Sequence, residues 1–374
     1  MQKRIVEKTG EWVSLLGFGC MRFPKKDGVN DMEQVQKMVD YAKVSGVNYF
    51  DTAYVYDNGD SERCIGKALS KYPRDSYFLA TKLPIWAVKE ESDIERILNT
   101  SLERLRTGYI DFYLLHSMDK DHWNDAKKFN AIEILKKYRE EGKIKYIGFS
   151  FHDSPEMFRE IVGAFDWDFV QIQLNYLDWN LQRAGEMYQI IEEKNLSCIV
   201  MEPIRGGALA NPPKEVSDII NKAAVGVSPS SMALRFCASH PRVKVILSGM
   251  SSFENVKENV ETLANFTPLT EEENKALDEA AMFLMSQPNI KCTDCHYCMP
   301  CPKGVNIPSS FTAYNDYMKF HNDEMLKGRY NFELKDASPY QCVKCGICVK
   351  KCPQHIDIPN NLDKVREVLS HAGI

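Results

Sequence analysis

Cysteine spacing carries the most pointed chemistry in this chain. Eight of the twelve cysteines lie in the last quarter, in two tight runs. The first is Cys292, Cys295, Cys298 and Cys301, followed by Pro302; the second is Cys342, Cys345, Cys348 and Cys352, followed by Pro353. The second run reads C-x2-C-x2-C-x3-C-P, a spacing that holds a [4Fe–4S] cluster through thiolates, the last cysteine commonly serving a neighbouring cluster. The first run is one residue shorter before its last cysteine, which leaves that fourth ligand less defined. Two [4Fe–4S] clusters are the expectation. Paired C-x2-C steps also bind zinc, and eight cysteines can form disulfides in a secreted domain. Neither alternative explains a third C-x2 step or the proline after each run. The opening stretch, MQKRIVEKTGEWV, also lacks the apolar core of a signal peptide. His296 and His355, beside the ligands, suit a tuning role through hydrogen bonds.

A second set of residues suggests acid–base chemistry. Phe50-Asp51-Thr52-Ala53-Tyr54-Val55-Tyr56, Ala80-Thr81-Lys82 and Leu114-Leu115-His116-Ser117 each close a short apolar run. They place Asp51, Tyr56, Lys82 and His116 at successive strand ends. Singly, each has an ordinary structural reading, as an ion pair, a packed loop residue or a core histidine. Together they form a titratable constellation of the kind found at catalytic sites.

The elements that must position these groups follow a repeating pattern. Runs at Leu15–Met21, Val47–Ala53, Tyr77–Lys82, Ile110–His116, Ile144–Phe151, Phe169–Asn175, Cys198–Pro203 and Val243–Gly249 alternate with amphipathic helical stretches. The latter include Asp31–Val44, Ser92–Arg106, Asn124–Glu140 and Ser230–His240. Eight βα units predict an α/β fold, a closed (β/α)8 TIM barrel with active residues at the C-terminal ends of its strands. No G-x-G-x-x-G follows a strand, which argues against a doubly wound sheet. A helical stretch over Leu269–Met285 ends at Ser286-Gln287-Pro288-Asn289, so the barrel is assigned to 1–285 and the cysteine domain to 286–374. Between the cysteine runs, Ser309–Asn322 and Asp323–Gly328 read as helices, predicting a small, mostly α-helical ferredoxin-like domain. Beyond the βα period no repeat is evident. A net charge of -5 with no long basic run gives no reason to expect nucleic acid, and no stretch approaches the ~20 apolar residues of a membrane span. Thiolate ligands and the lack of a targeting signal point to the cytoplasm.

Residues 1 to about 266 resemble the aldo-keto reductase superfamily. The matching motifs are Gly17-Phe18-Gly19, the D-T-A-x-x-Y of Asp51 to Tyr56, Ser61-Glu62-Arg63, Thr81-Lys82, Leu114-Leu115-His116, Lys143 to Ser150, and Glu258-Asn259. The cysteine tail resembles that of a branch carrying a C-terminal iron–sulfur domain. The resemblance implies nicotinamide-dependent carbonyl reduction with Tyr56 as proton donor. Lys82 would lower the phenol's pKa, Asp51 would hold the lysine, and His116 would orient the carbonyl.

It also implies a site for NADP(H) or NAD(H), with Ser150, His152 and Gln171 near the carboxamide. Met201 stands where the family has an aromatic residue stacked on the ring. Phosphate-binding loops are expected at Ile204, Arg205, Gly206 and Gly207 and at Gly249 and Ser251, where Ser251 and Glu254 form a capping box. Gly249 and Asn255 replace cations that often bind the 2′-phosphate, leaving Arg205 or Lys257 as substitutes, while the adenine-side pair, Glu258 and Asn259, is present. Tyr54, Trp86, Trp123 and Trp179 near the strand ends suggest a small carbonyl substrate with an aromatic ring.

Coupling a hydride, which moves two electrons together, to one-electron clusters normally requires a flavin, and no flavin fingerprint is present. The clusters are then structural, or exchange electrons with a ferredoxin or other redox partner. Two alternatives are a redox-sensing regulatory binding protein and a ferredoxin-coupled electron-transfer module, each built on the same fold.

Overall fold

Eight parallel strands pair edge to edge until the last meets the first. They are β1 (Leu16–Gly19), β2 (Tyr49–Asp51), β3 (Phe78–Leu83), β4 (Ile110–Met118), β5 (Ile144–Phe151), β6 (Phe169–Gln173), β7 (Cys198–Met201) and β8 (Val243–Ser248). In the computed structural model, which describes Met1–Ile374, they form a closed barrel in which each strand pairs with its neighbours in chain order and β8 with β1. All eight expected strands are present, with ends shifted by a few residues. Their β-branched and aromatic side chains fill the barrel and its outer layer: Tyr49, Phe112, Phe169, Ile199 and Val245 belong to one buried cluster. Close packing leaves no room for a side chain at Gly148, where a Cβ would lie 2.6 Å from the Phe169 ring. An N-terminal hairpin, Lys3–Val6 with Glu11–Ser14, adds Val6 and Val13 to the same cluster. Its four-residue strands are too short to register as periodicity.

Helices start where short polar side chains cap them. Asp31 accepts from the backbone N–H groups of Glu33 and Gln34, and Ser154 and Ser228 cap helices opening on Pro155 and Pro229. Two expectations are corrected. The stretch Asn124–Glu140 is two helices, Lys120–Lys128 and Ala131–Glu140, parted at Asn130, whose φ of 51° is left-handed, a conformation asparagine tolerates. The helix after β8 is capped by Ser252, which accepts from Asn255 N–H at 3.2 Å, so Ser251 lies before the cap and forms no box with Glu254.

The chain divides into two compact units, Met1–Leu209 with Gly226–Asn274, and Ala210–Val225 with Lys275–Ile374. The second unit contains helices and no strand, in line with its sequence pattern. Its core joins Val305, Ile307, Phe311, Leu334, Ile358, Leu362 and Val365. It also contains an internal repeat that the cysteine spacing disguised. In each run the second cysteine is flanked by left-handed residues, Asp294 and His296 around Cys295, and Lys344 and Gly346 around Cys345. Three residues past each fourth cysteine comes another, Gly304 or His355. Asn306 and Asp357 then cap helices Ile307–Phe320 and Ile358–His371, both beginning Ile-Pro and both 14 residues long. The extra residue of the second run falls in the short helix Ile347–Lys351.

Candidate active site and cluster-binding loops

Asp51 ends β2, Lys82 lies near the end of β3 and His116 near the end of β4, all three buried. The Lys82 ammonium donates to Asp51 Oδ1 at 2.6 Å and to the Thr52 carbonyl at 2.6 Å. It lies 5.0 Å from the centre of the Tyr56 ring. The His116 imidazole meets that ring edge-on, with centroids 5.8 Å apart. The four residues singled out from sequence therefore converge.

Tyr56 is held by the loop that follows it. Asp57 and Asn58 adopt left-handed conformations, φ 49° and 53°, which cost energy and need support. Lys25 and Asn30 supply it by donating to the Asp57 carboxylate at 2.9 and 2.8 Å. Behind the loop, Glu62 is wholly buried and accepts from Thr81 Oγ1 at 2.7 Å and Arg104 Nη1 at 3.1 Å, while the same nitrogen bonds the Tyr54 carbonyl at 3.0 Å. Ser61 donates to the Cys20 carbonyl at 2.7 Å. The Ser61-Glu62 pair thus works as a brace for the loop.

Electrostatics in the site are dominated by burial. Desolvation pushes Asp51 above the usual carboxylate range against the pull of Lys82. Burial works to lower Lys82, but Asp51 and Tyr56 outweigh it and leave the ammonium raised. The phenol of Tyr56 is raised by desolvation, which exceeds the lowering by Lys82. The expected lysine effect is present but does not win, and Tyr56 stays protonated near neutrality. His116 is pushed well below the ordinary imidazole value by burial, with Lys82, His152 and His122 adding, so its ring is neutral.

A cavity with about 530 Å³ of open space runs from Asp51 and Tyr56 past Gln171, Met201 and Ile204 to Gly206 and Gly249. Buried Gln171 Oε1 on its wall has no hydrogen-bond partner, which fits the amide of a nicotinamide carboxamide. Asp51 Oδ2 and His116 Nδ1 are likewise unpaired. Ser150 Oγ accepts from Ser117 N–H at 2.7 Å, and His152 follows β5 with its N–H on the Met118 carbonyl at 2.9 Å.

Other nucleotide candidates are already engaged. Arg205 is ion-paired to wholly buried Asp178, and exposed Lys257 lies 3.9 Å from Glu261. Glu258 accepts from Ser230 Oγ at 2.8 Å, and Asn259 donates to Ser248 Oγ at 2.9 Å. Gly207 follows Gly206 in the same turn, while Ser251 and Asn255 are exposed around the start of the last barrel helix. The cation on the cavity wall is Arg22, unrecognised from sequence, whose Nη2 lies 3.3 Å from Glu202 Oε1. Its signal was an arginine just past the end of β1, where barrel ligands bind.

The aromatic gathering is smaller than expected. Trp86 lies 5.1 Å from His116 and 5.0 Å from His122. Trp123 is instead buried against Trp167, and Trp179 packs on Phe236 and His240, both in the outer layer of the barrel.

The eight thiols of the second unit, like the four in the barrel, are free of disulfides. A cavity with about 320 Å³ of open space is lined by Cys292, Cys295, Cys298 and, from the other run, Cys352, with apolar walls from Ile307, Phe311 and Ile358. Cys301 lies within electrostatic range of Cys348. No three cysteine, histidine or carboxylate side chains converge at single-ion spacing. Thiols ringing a space fit a polynuclear cluster better than one ion.

Residues 15–282 match the aldo/keto reductase family, and residues 291–358 match a 4Fe-4S dicluster domain. An uncharacterized oxidoreductase of Bacillus subtilis, YqkF, is 27% identical over 307 residues, covering 74% of this chain and 95% of that protein. The aldo-keto reductase AKR11C1 of Bacillus halodurans, in its holo form, superposes with a TM-score of 0.64 at 28% identity, covering 75% of this chain and 96% of its own. An aldo/keto reductase of Klebsiella pneumoniae, solved with NADP and acetate, gives a TM-score of 0.62 at 25% identity, over 75% of this chain and 95% of its own. The chain belongs to the aldo/keto reductase family and is an oxidoreductase with a 4Fe-4S domain after its barrel.

Proposed function

We propose that this oxidoreductase reduces the carbonyl group of a small molecule with a nicotinamide nucleotide, Tyr56 supplying the proton, and that its terminal domain holds two [4Fe–4S] clusters. The observation that carries the first half is the pairing of Lys82 with Asp51 at 2.6 Å beside the Tyr56 ring, at a cavity that also exposes Gln171. The NADP bound by the Klebsiella relative supports the cofactor class.

When bound, the nicotinamide supplies the hydride. Tyr56 holds a proton at its hydroxyl and releases it to the alkoxide oxygen, while Lys82 stabilises the phenolate left behind. Asp51 keeps Lys82 in place. Neutral His116 donates a hydrogen bond that orients the carbonyl. Gln171 and Ser150 would hold the carboxamide, with His152 as a further contact and Met201 on the cavity wall where the ring would bind. Arg22 meets the phosphates together with the glycines at 206 and 249, and Glu258 with Asn259 marks the adenine end. NADPH and NADH remain alternatives, because the cavity cation is Arg22 rather than a residue beside Asn255.

The reading divides the chain into a reductase over 1–285 and a cluster module over 286–374. One cluster takes Cys292, Cys295, Cys298 and Cys352, and the other takes Cys342, Cys345, Cys348 and Cys301, with a one-electron carrier as the partner class. The cavity shared by three thiols of one run and Cys352 supports this exchange of fourth ligands. The test uses protein prepared without oxygen and assayed with NADPH and NADH against aldehydes, ketones and quinones, alongside iron and sulfide analysis. The expected result is carbonyl-dependent nucleotide oxidation and about eight irons per chain. No oxidation above the protein-free rate with any carbonyl would reject the reductase reading, and about four irons would reject the second cluster.

A further inference from the structure

Away from the barrel mouth, Arg63, Thr100, Glu103, Arg104 and Arg106 line a cleft with about 590 Å³ of open space between the helices Asp60–Leu69 and Ser92–Leu105. The guanidinium groups in it are unusual for this chain. Every other arginine has a carboxylate or carbonyl acceptor. Arg104 has Glu62 and the Tyr54 carbonyl, but its buried Nε finds no acceptor. Arg63 and Arg106, both exposed, are the two arginines with no side-chain partner, and both line this one cleft.

The geometry points to a second binding site here, for inorganic phosphate. Guanidinium forks match the oxygens of a tetrahedral oxoanion. The carboxylate of Glu103, which also lines the cleft, would repel a fully ionised anion and accept a hydrogen bond from one that retains a proton. Inorganic phosphate keeps at least one O–H at neutral pH, whereas sulfate keeps none. The site therefore discriminates between two ions of similar shape. It is also connected to the loop bearing Tyr56, because Arg104 bonds the Tyr54 carbonyl at 3.0 Å and stacks on the Tyr54 ring at 4.4 Å. Phosphate held by Arg104 rigidifies that loop.

Calorimetric titration of the full-length protein with sodium phosphate and, separately, sodium sulfate tests the site. Saturable phosphate binding is expected, with sulfate at least tenfold weaker. The double variant Arg63→Ala/Arg106→Ala weakens phosphate at least tenfold, while Glu103→Gln brings the two anions within threefold of each other. Backbone amide exchange over residues 54–62 slows when phosphate is added to the native protein and not to the double variant. Phosphate binding that survives the double substitution would locate the ion elsewhere, for example beside Arg22, and overturn the inference. Absence of saturable binding to the native protein, or equal affinity for sulfate, overturns it as well.

Discussion

In the proposed reaction the Tyr56 hydroxyl stays protonated until an alkoxide forms and then gives its proton up. Burial secures the first requirement and the Lys82 ammonium the second. Because the phenol is raised, its donor form is lost only as pH climbs beyond the ordinary tyrosine value of about 10. His116, pushed far down, carries no charge to lose near pH 6.5. Single-turnover carbonyl reduction should thus be flat through neutrality and fall on the alkaline side, and an inflection near the ordinary imidazole value of about 6.5 would contradict the assignment of a neutral His116. Arg22 gives a second prediction. Arg22→Leu should weaken nucleotide binding about tenfold, or about 1.4 kcal/mol, in a direct titration; unchanged affinity would remove Arg22 from the phosphate site.

At the scale of elements, the Tyr56 loop depends on a close approach. Gly59 has φ +84°, and a Cβ there would lie 2.4 Å from the Arg104 guanidinium. Gly59→Ala should cost about 1–3 kcal/mol and lower turnover while nucleotide affinity persists, as measured by amide exchange and titration. The cysteine repeat makes a sharper forecast. Cys292→Ala/Cys352→Ala removes two ligands of one cluster and should retain about half the iron, whereas Cys345→Ala/Cys352→Ala strikes both and should retain little. The reverse pattern would assign each fourth cysteine to its own run. Strands were legible in the sequence because aromatic and aliphatic runs such as Ile110–His116 bury every side chain. The break at Asn130 was not, since a single left-handed residue leaves helical periodicity almost intact. The repeat was hidden by one added residue before Cys352, and it emerges from backbone conformation rather than from composition.

For the whole molecule, a reductase-family barrel and a set of thiol loops share one chain, and all eight barrel strands were readable. The convergence of Asp51, Tyr56, Lys82 and His116 was readable too, because strand ends in a barrel meet whatever their separation in sequence. What the sequence concealed depended on partners distant along the chain. Arg205 looked available for phosphate until Asp178 claimed it, and Trp123 and Trp179 looked like substrate walls until the fold packed them on Trp167 and Phe236. No helix is long and apolar enough to cross a membrane. The most direct test of the central claim is Tyr56→Phe, followed by nucleotide titration and by carbonyl-dependent nucleotide oxidation in the same preparation. Binding within twofold of the native protein with turnover reduced at least a thousandfold is the predicted result. Native turnover by that variant would show that the proton comes from elsewhere.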